Sequence, residues 1–328
     1  MALRTAPPRR AILILACLVL LGAAPSLAGQ GGAKPLFSLS TSVGFLSGAA
    51  KEYVFDSSYV TDYKMSELDW ASSPLLLWGI AGDLRFGDGI YARFQVASGA
   101  LGKTGYMTDS DWQNYDGIKT NFSQSESWTD QALIVKISAG YDLRILDTLA
   151  LGGFAEFGYL DFEWSARGGY LQYPVEIYPN AAYGPYTPIT ANTPITPVYG
   201  IGIIYRQSTI YPALGLRAAY RPSPGFGILA SMAISPLVTM TTTDDHVLRS
   251  LIFSSTLRGG LLLEPSLQID YRLSGTLGLS LRASYRSIRN LGGDLTQTDD
   301  KGAAFTNPGG GGASFEAFDF GLALGMTL

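Results

Sequence analysis

The sequence has little of what soluble enzymes use for chemistry. Of its 328 residues one is cysteine and one is histidine, so a disulfide scaffold, a cysteine-rich zinc module and a multi-histidine metal site are excluded. Charged residues make up 15%, against about 25% in an ordinary soluble domain. The formal charge is −4, and no basic run occurs beyond the extreme N-terminus, so a nucleic-acid partner has no electrostatic footprint. After residue 30 no apolar run reaches the ~18 residues of a membrane-spanning helix, which excludes a helical membrane protein despite a hydrophobic content of 47%. Any chemistry here must use carboxylates and at most one imidazole.

What is present begins with an address. Arg4, Arg9 and Arg10 precede an apolar stretch from Ala11 to Ala24, and Ser26-Leu27-Ala28 follows with small residues at the positions a signal peptidase reads. Residues 1–28 therefore read as a secretory signal, and Cys17 leaves with it. A lipoprotein reading through Ile14-Leu15-Ala16-Cys17 stays open, but it strands Leu18 to Leu21 on the mature end.

In the mature chain, residues 29–328, hydrophobicity is distributed in period two. Phe37, Leu39, Val43 and Phe45 alternate with Ser38, Ser40, Ser42 and Gly44; Leu76, Trp78, Ile80, Leu84 and Phe86 face one way while Asp83 and Arg85 face the other. The longest case sets Leu267, Ile269, Tyr271, Leu279 and Leu281 against Gln268, Asp270, Ser280, Arg282 and Arg286. Sandwich strands run about 5–6 residues and do not need such length. A closed antiparallel transmembrane β-barrel does, because lipid leaves no backbone group unpaired and a strand must be apolar outward and polar inward. Phe318 to Leu328 alternates to the last residue, as a closing strand would. Trp70, Trp78, Trp164 and Tyr285 suit interfacial girdles. Pro179 to Pro197, Asn290 to Ser314 and Asp56 to Asp69 read as long loops. The competing class at this point is a secreted soluble β-protein.

Two polar motifs stand out. Asp109 and Asp111 are spaced i, i+2, which on a strand points both to one side. Asp244 has the same spacing to His246, the sole histidine. A carboxylate beside an imidazole fixes its tautomer and supports a general base, and two close carboxylates can hold a proton between them. Such spacings are also common on exposed loops, so spacing alone does not decide between them.

Met107-Thr108-Asp109-Ser110-Asp111-Trp112 resembles the paired-aspartate motif of the omptins, outer-membrane aspartate-histidine endopeptidases, and Asp244-Asp245-His246 resembles their Asp-x-His. Leu46-Ser47-Gly48 with Lys51-Glu52, the segment Lys64 to Trp70, and the segment Phe162 to Tyr170 fall in the family's order, so the likeness covers nearly the whole mature chain. The resemblance implies a ten-stranded barrel extending above the outer membrane, with its active site facing outward. It further implies that Asp244 and His246 activate a water opposite the couple Asp109 and Asp111, and that peptide or protein substrates are cut next to basic residues. It implies no metal and no cofactor, and contact with outer-membrane lipid.

Departures qualify the resemblance. Glu52 matches one acid of the pocket for the basic side chain before the scissile bond, but Thr242 stands where the second would be. Trp128-Thr129-Asp130 is followed by Gln131-Ala132-Leu133 rather than by the family's downstream segment. Asp161 occupies a position where the family carries an arginine on its outer wall, which puts dependence on lipopolysaccharide in doubt. A noncatalytic barrel on the same scaffold, an adhesin or narrow pore, is the alternative from another class.

Overall fold

The computed structural model describes residues 36–56, 62–87, 89–174 and 186–328; the signal segment lies outside them. Twelve antiparallel strands are formed: β1 (Leu36–Asp56), β2 (Tyr63–Phe86), β3 (Ile90–Gly99), β4 (Gly102–Asp111), β5 (Asn121–Leu146), β6 (Leu149–Gln172), β7 (Thr196–Pro197), β8 (Ile201–Ser223), β9 (Phe226–His246), β10 (Leu251–Arg272), β11 (Leu277–Asp299) and β12 (Ala304–Thr327). Each strand pairs with its neighbours around a ring that closes through β1 and β12. β3 and β4 both lie between β2 and β5 and are two halves of one wall position, while β7 only pairs briefly with β6. The barrel thus has ten wall positions, as the resemblance implies. Closure removes every sheet edge, which a wall in hydrocarbon requires.

Side-chain parity follows the alternation. Val43, Phe45, Trp78, Leu214, Leu216 and Phe320 are 45–74% exposed on the outer apolar face, and the polar residues between them turn inward. The strands opposite the site are joined by short turns at 147–148 and 224–225, whereas the other rim carries the longer connections at 112–120 and 173–200. A 24-residue strand such as β2 at about 3.3 Å per residue and ~40° tilt rises roughly 60 Å, over twice the ~25 Å apolar band of such barrels. More than half the wall therefore stands clear of that band.

The lower lumen is filled with ion pairs. Glu264 bonds Arg286 at 3.0 Å and also meets Lys136, Arg217 pairs with Asp142 at 3.0 Å, and Arg282 reaches Gln95. Above them lies an aromatic layer: Trp70 stacks on Tyr205 at 5.5 Å, Trp164 on Phe162 at 5.5 Å, and Phe162 meets Phe315 at 5.0 Å. The Trp164 indole N–H donates to Ser72 Oγ at 2.8 Å.

Three expectations are corrected. Asn290 to Ser314 is not a long loop: β11 and β12 pair through it and leave only 300–303 as a turn. Its glycines serve close packing, since a Cβ on Gly312 would meet the Phe55 ring at 2.6 Å and one on Gly311 would meet Ser255 Oγ at 2.6 Å. Of Asp56 to Asp69, the stretch from Tyr63 is already strand. Trp70 and Trp164 are wholly buried in the aromatic layer rather than in a girdle; Trp78, 61% exposed, and Tyr285, 37% exposed, do lie outside. Of the proline-rich segment, 186–195 is free of strand, Thr196 and Pro197 pair with β6, and 179–185 fall outside the described residues.

Candidate active site

The five proposed site residues come from three strands, β1, β4 and β9, and meet above the aromatic layer. On β1, Glu52 alternates inward with Leu46 and Ala50, and its register partner on β2 is Leu68. Leu68 in turn pairs with Asp109 on β4, and Ser66 with Asp111, so the aspartate couple sits on the inner face one strand away. Asp244 lies two residues before the end of β9, beside Tyr205 of β8 and Phe253 of β10. His246 follows at the strand end, where the chain enters the three-residue 3-10 turn Val247–Arg249.

His246 Nε2 and Asp244 Oδ2 are hydrogen-bonded at 2.7 Å. That bond assigns the proton to Nε2 and leaves Nδ1 as the basic nitrogen. The imidazole packs edge-on against the Phe253 ring at 5.1 Å, which fixes its plane, and the Arg249 guanidinium lies 3.5 Å from Nδ1. Burial opposes a charged imidazole, yet the Asp244 carboxylate and its hydrogen bond outweigh burial and hold His246 above the ordinary histidine value.

The couple is held by donors absent from the motif itself. Asn121 Nδ2 donates to Asp111 Oδ2 at 3.2 Å, and Ser66 Oγ lies 3.4 Å from Asp109 Oδ1. Burial, and then the neighbouring Asp111, push Asp109 up to about 8; burial likewise raises Asp111. The charges of His246 and Asp244 both act on Asp109, so dyad and couple share one pocket. Glu52 is 4% exposed and is raised well above the carboxylate range by burial and by Asp244. Thr242 lies two residues below Asp244 on the same inner face and is also buried. Among the described residues no group of three or more His, Cys, Asp and Glu side chains is arranged to hold a metal ion.

Ser66, Asn121, Phe253 and Arg249 were invisible to spacing, because each reaches the site through strand register or the turn. The other family-like segments are structural. Lys51 bonds Glu67 at 2.7 Å and Asp69 at 3.2 Å on the outer face. Gly48 lies where a Cβ would meet Glu316 O at 2.1 Å. Asp161 takes Arg206 at 2.9 Å and Ser208 at 2.6 Å, so the position lacking the family's arginine is already neutralised.

Fold and site together define a closed membrane-type barrel with a buried acid and imidazole cluster at one end of its lumen. The model of the Omptin family matches residues 34–328, and the chain belongs to that family of outer-membrane proteases. Among solved structures it is similar to the outer membrane protease OmpT from Escherichia coli, with 20% identity, a TM-score of 0.79, and 89% of this chain and 97% of that chain covered. The translocator domain of the autotransporter NalP from Neisseria meningitidis aligns over 97% of this chain at 10% identity, but with a TM-score of 0.35. Comparison with curated protein sequences finds no match.

Proposed function

We propose that the protein is an outer-membrane endopeptidase in which Asp244 and His246 activate water opposite Asp109 and Asp111. The observation that carries this reading is the 2.7 Å Asp244–His246 bond in one pocket with the couple. Nδ1 of His246 takes a proton from a water placed between dyad and couple, and the hydroxide attacks the scissile carbonyl. Asp109, protonated near neutral pH, donates a hydrogen bond where the oxyanion develops. The imidazolium, stabilised by Asp244, then gives its proton to the leaving amine.

Glu52 supports a preference for substrates basic beside the scissile bond, with Thr242 supplying no second charge. Its position at the rim with the longer connections supports an outward-facing cleft, since in such barrels long loops face outward. The pore alternative is opposed by the lower lumen, where Lys136, Glu264 and Arg286 fill the cross-section with ion pairs. Digestion of a peptide library by purified, refolded protein tests the reading: cleavage beside Lys or Arg is expected, and an intact library would refute it.

A further inference from the structure

The dyad aspartate has a second acidic neighbour. Glu52 and Asp244 face each other across the pocket from β1 and β9, with their carboxyl groups within hydrogen-bonding reach. Asp244 Oδ2 is taken by His246, whereas Asp244 Oδ1 and Glu52 Oε2 are both buried with no hydrogen-bond donor. The groups that face Glu52 are Asp244 from β9, Asp109 from β4 and the Tyr205 phenol from β8. None is a cation. Lys51, its neighbour on β1, points to the outer face and is held there by Glu67 and Asp69. The charges around Asp244 are completed by His246 and, beyond it, Arg249.

Two buried carboxyl groups in contact cannot both ionise without a compensating cation. One proton between them satisfies both orphan oxygens at once and turns a repulsion into a hydrogen bond. No described side chain donates to either oxygen: Gln207 spends its Nε2 on the carbonyls of Lys51 and Ser314 and on Tyr205 Oη, and the Tyr205 hydroxyl does not bond Glu52 Oε2. The two orphan oxygens are therefore left to each other, and a proton on one carboxyl group is what bonds the second.

We propose that Glu52 and Asp244 hold one proton between them in the empty site, so that Glu52 accepts a lysine or arginine side chain only by giving that proton up. This rests on the protease reading above and deepens it. The entering cation replaces the proton in the balance of charge, and the proton leaves to solvent. Preference for a basic side chain is then a function of pH: weak on the acid side, where a neutral side chain fits the neutral pair, and growing by up to about tenfold per pH unit until the pair ionises unaided. In the empty site the same proton orients Asp244 toward His246, which makes Glu52 a positioning residue as well as a selector.

The test compares kcat/KM for two matched peptides, one with arginine and one with its neutral isostere citrulline before the scissile bond, between about pH 6 and 9. The arginine-to-citrulline ratio is expected to rise with pH in the wild type and to be flat in Glu52→Gln. A flat wild-type ratio, or a rise that persists in Glu52→Gln, overturns the proposal. Failure to cleave either peptide would instead strike the protease reading. Infrared spectra then decide the proposal without turnover: the carbonyl band of a protonated carboxylic acid near neutral pH should weaken in Glu52→Gln, and an unchanged band overturns it.

Discussion

At the scale of the residue, the two halves of the site carry opposite protonation requirements. His246 must be neutral to accept a proton, and Asp244 holds it above its ordinary value, so activity should fall on acidification, starting above the ordinary histidine value of about 6.5. Asp109 acts while protonated and is held at about 8, so activity should fall again above that. The expected profile of kcat/KM is a bell, and Asp109→Asn should lose the alkaline limb; a flat rate from about pH 5 to 8 would contradict the mechanism. Stability follows the same group. The unfolded chain releases the Asp109 proton near the ordinary 3.8 and the folded chain near 8, so its contribution is present below about 3.8 and lost as pH rises toward 8. The shared face of each pair was legible because i, i+2 spacing on a strand forces it, whereas their roles as dyad and couple were legible only through the resemblance. Glu52 was legible only through the resemblance, and its contact with Asp244 only in three dimensions, since β1 and β9 are not neighbours in the wall.

At the scale of the element, β-bulges separate an upper and a lower barrel. On β2 the inward residues are Leu68 and Trp70 above and Leu75 and Leu77 below, so parity inverts across Ser72 to Pro74. The same inversion occurs on β5, β9, β10 and β11, as where Leu257 and Leu262 both point inward on β10. Each inserts one residue and turns every later side chain to the other face. That is why alternation revealed the lower strands clearly but did not carry Trp70 inward; Trp164, on the uninverted β6, lies on the inner face above the membrane band rather than at its edge, and the run Gly309 to Gly312 of β12 has no side chains to alternate. The aromatic layer lies just above these bulges and forms the dry base of the site. Trp164→Ala removes a buried ring and its bond to Ser72 and should cost about 3–5 kcal/mol. A shifted urea midpoint, with activity reduced through a loosened Tyr205 wall, is the expected result.

At the scale of the whole molecule, one closed wall performs two tasks. Below, its outer face is apolar and its lumen is locked by ion pairs, which suits a hull in lipid; above, the same strands bring β1, β4 and β9 around a pocket no single strand could build. Low charge and a single histidine, first a list of exclusions, become the constraint that makes the central claim testable, because no other imidazole can substitute. The decisive measurement is cleavage of a basic peptide by purified, refolded His246→Ala beside the wild type, with folding verified by heat-modifiable gel mobility. The account predicts a folded barrel whose kcat is lower by roughly a hundred- to ten-thousandfold. Full activity in that variant would contradict it.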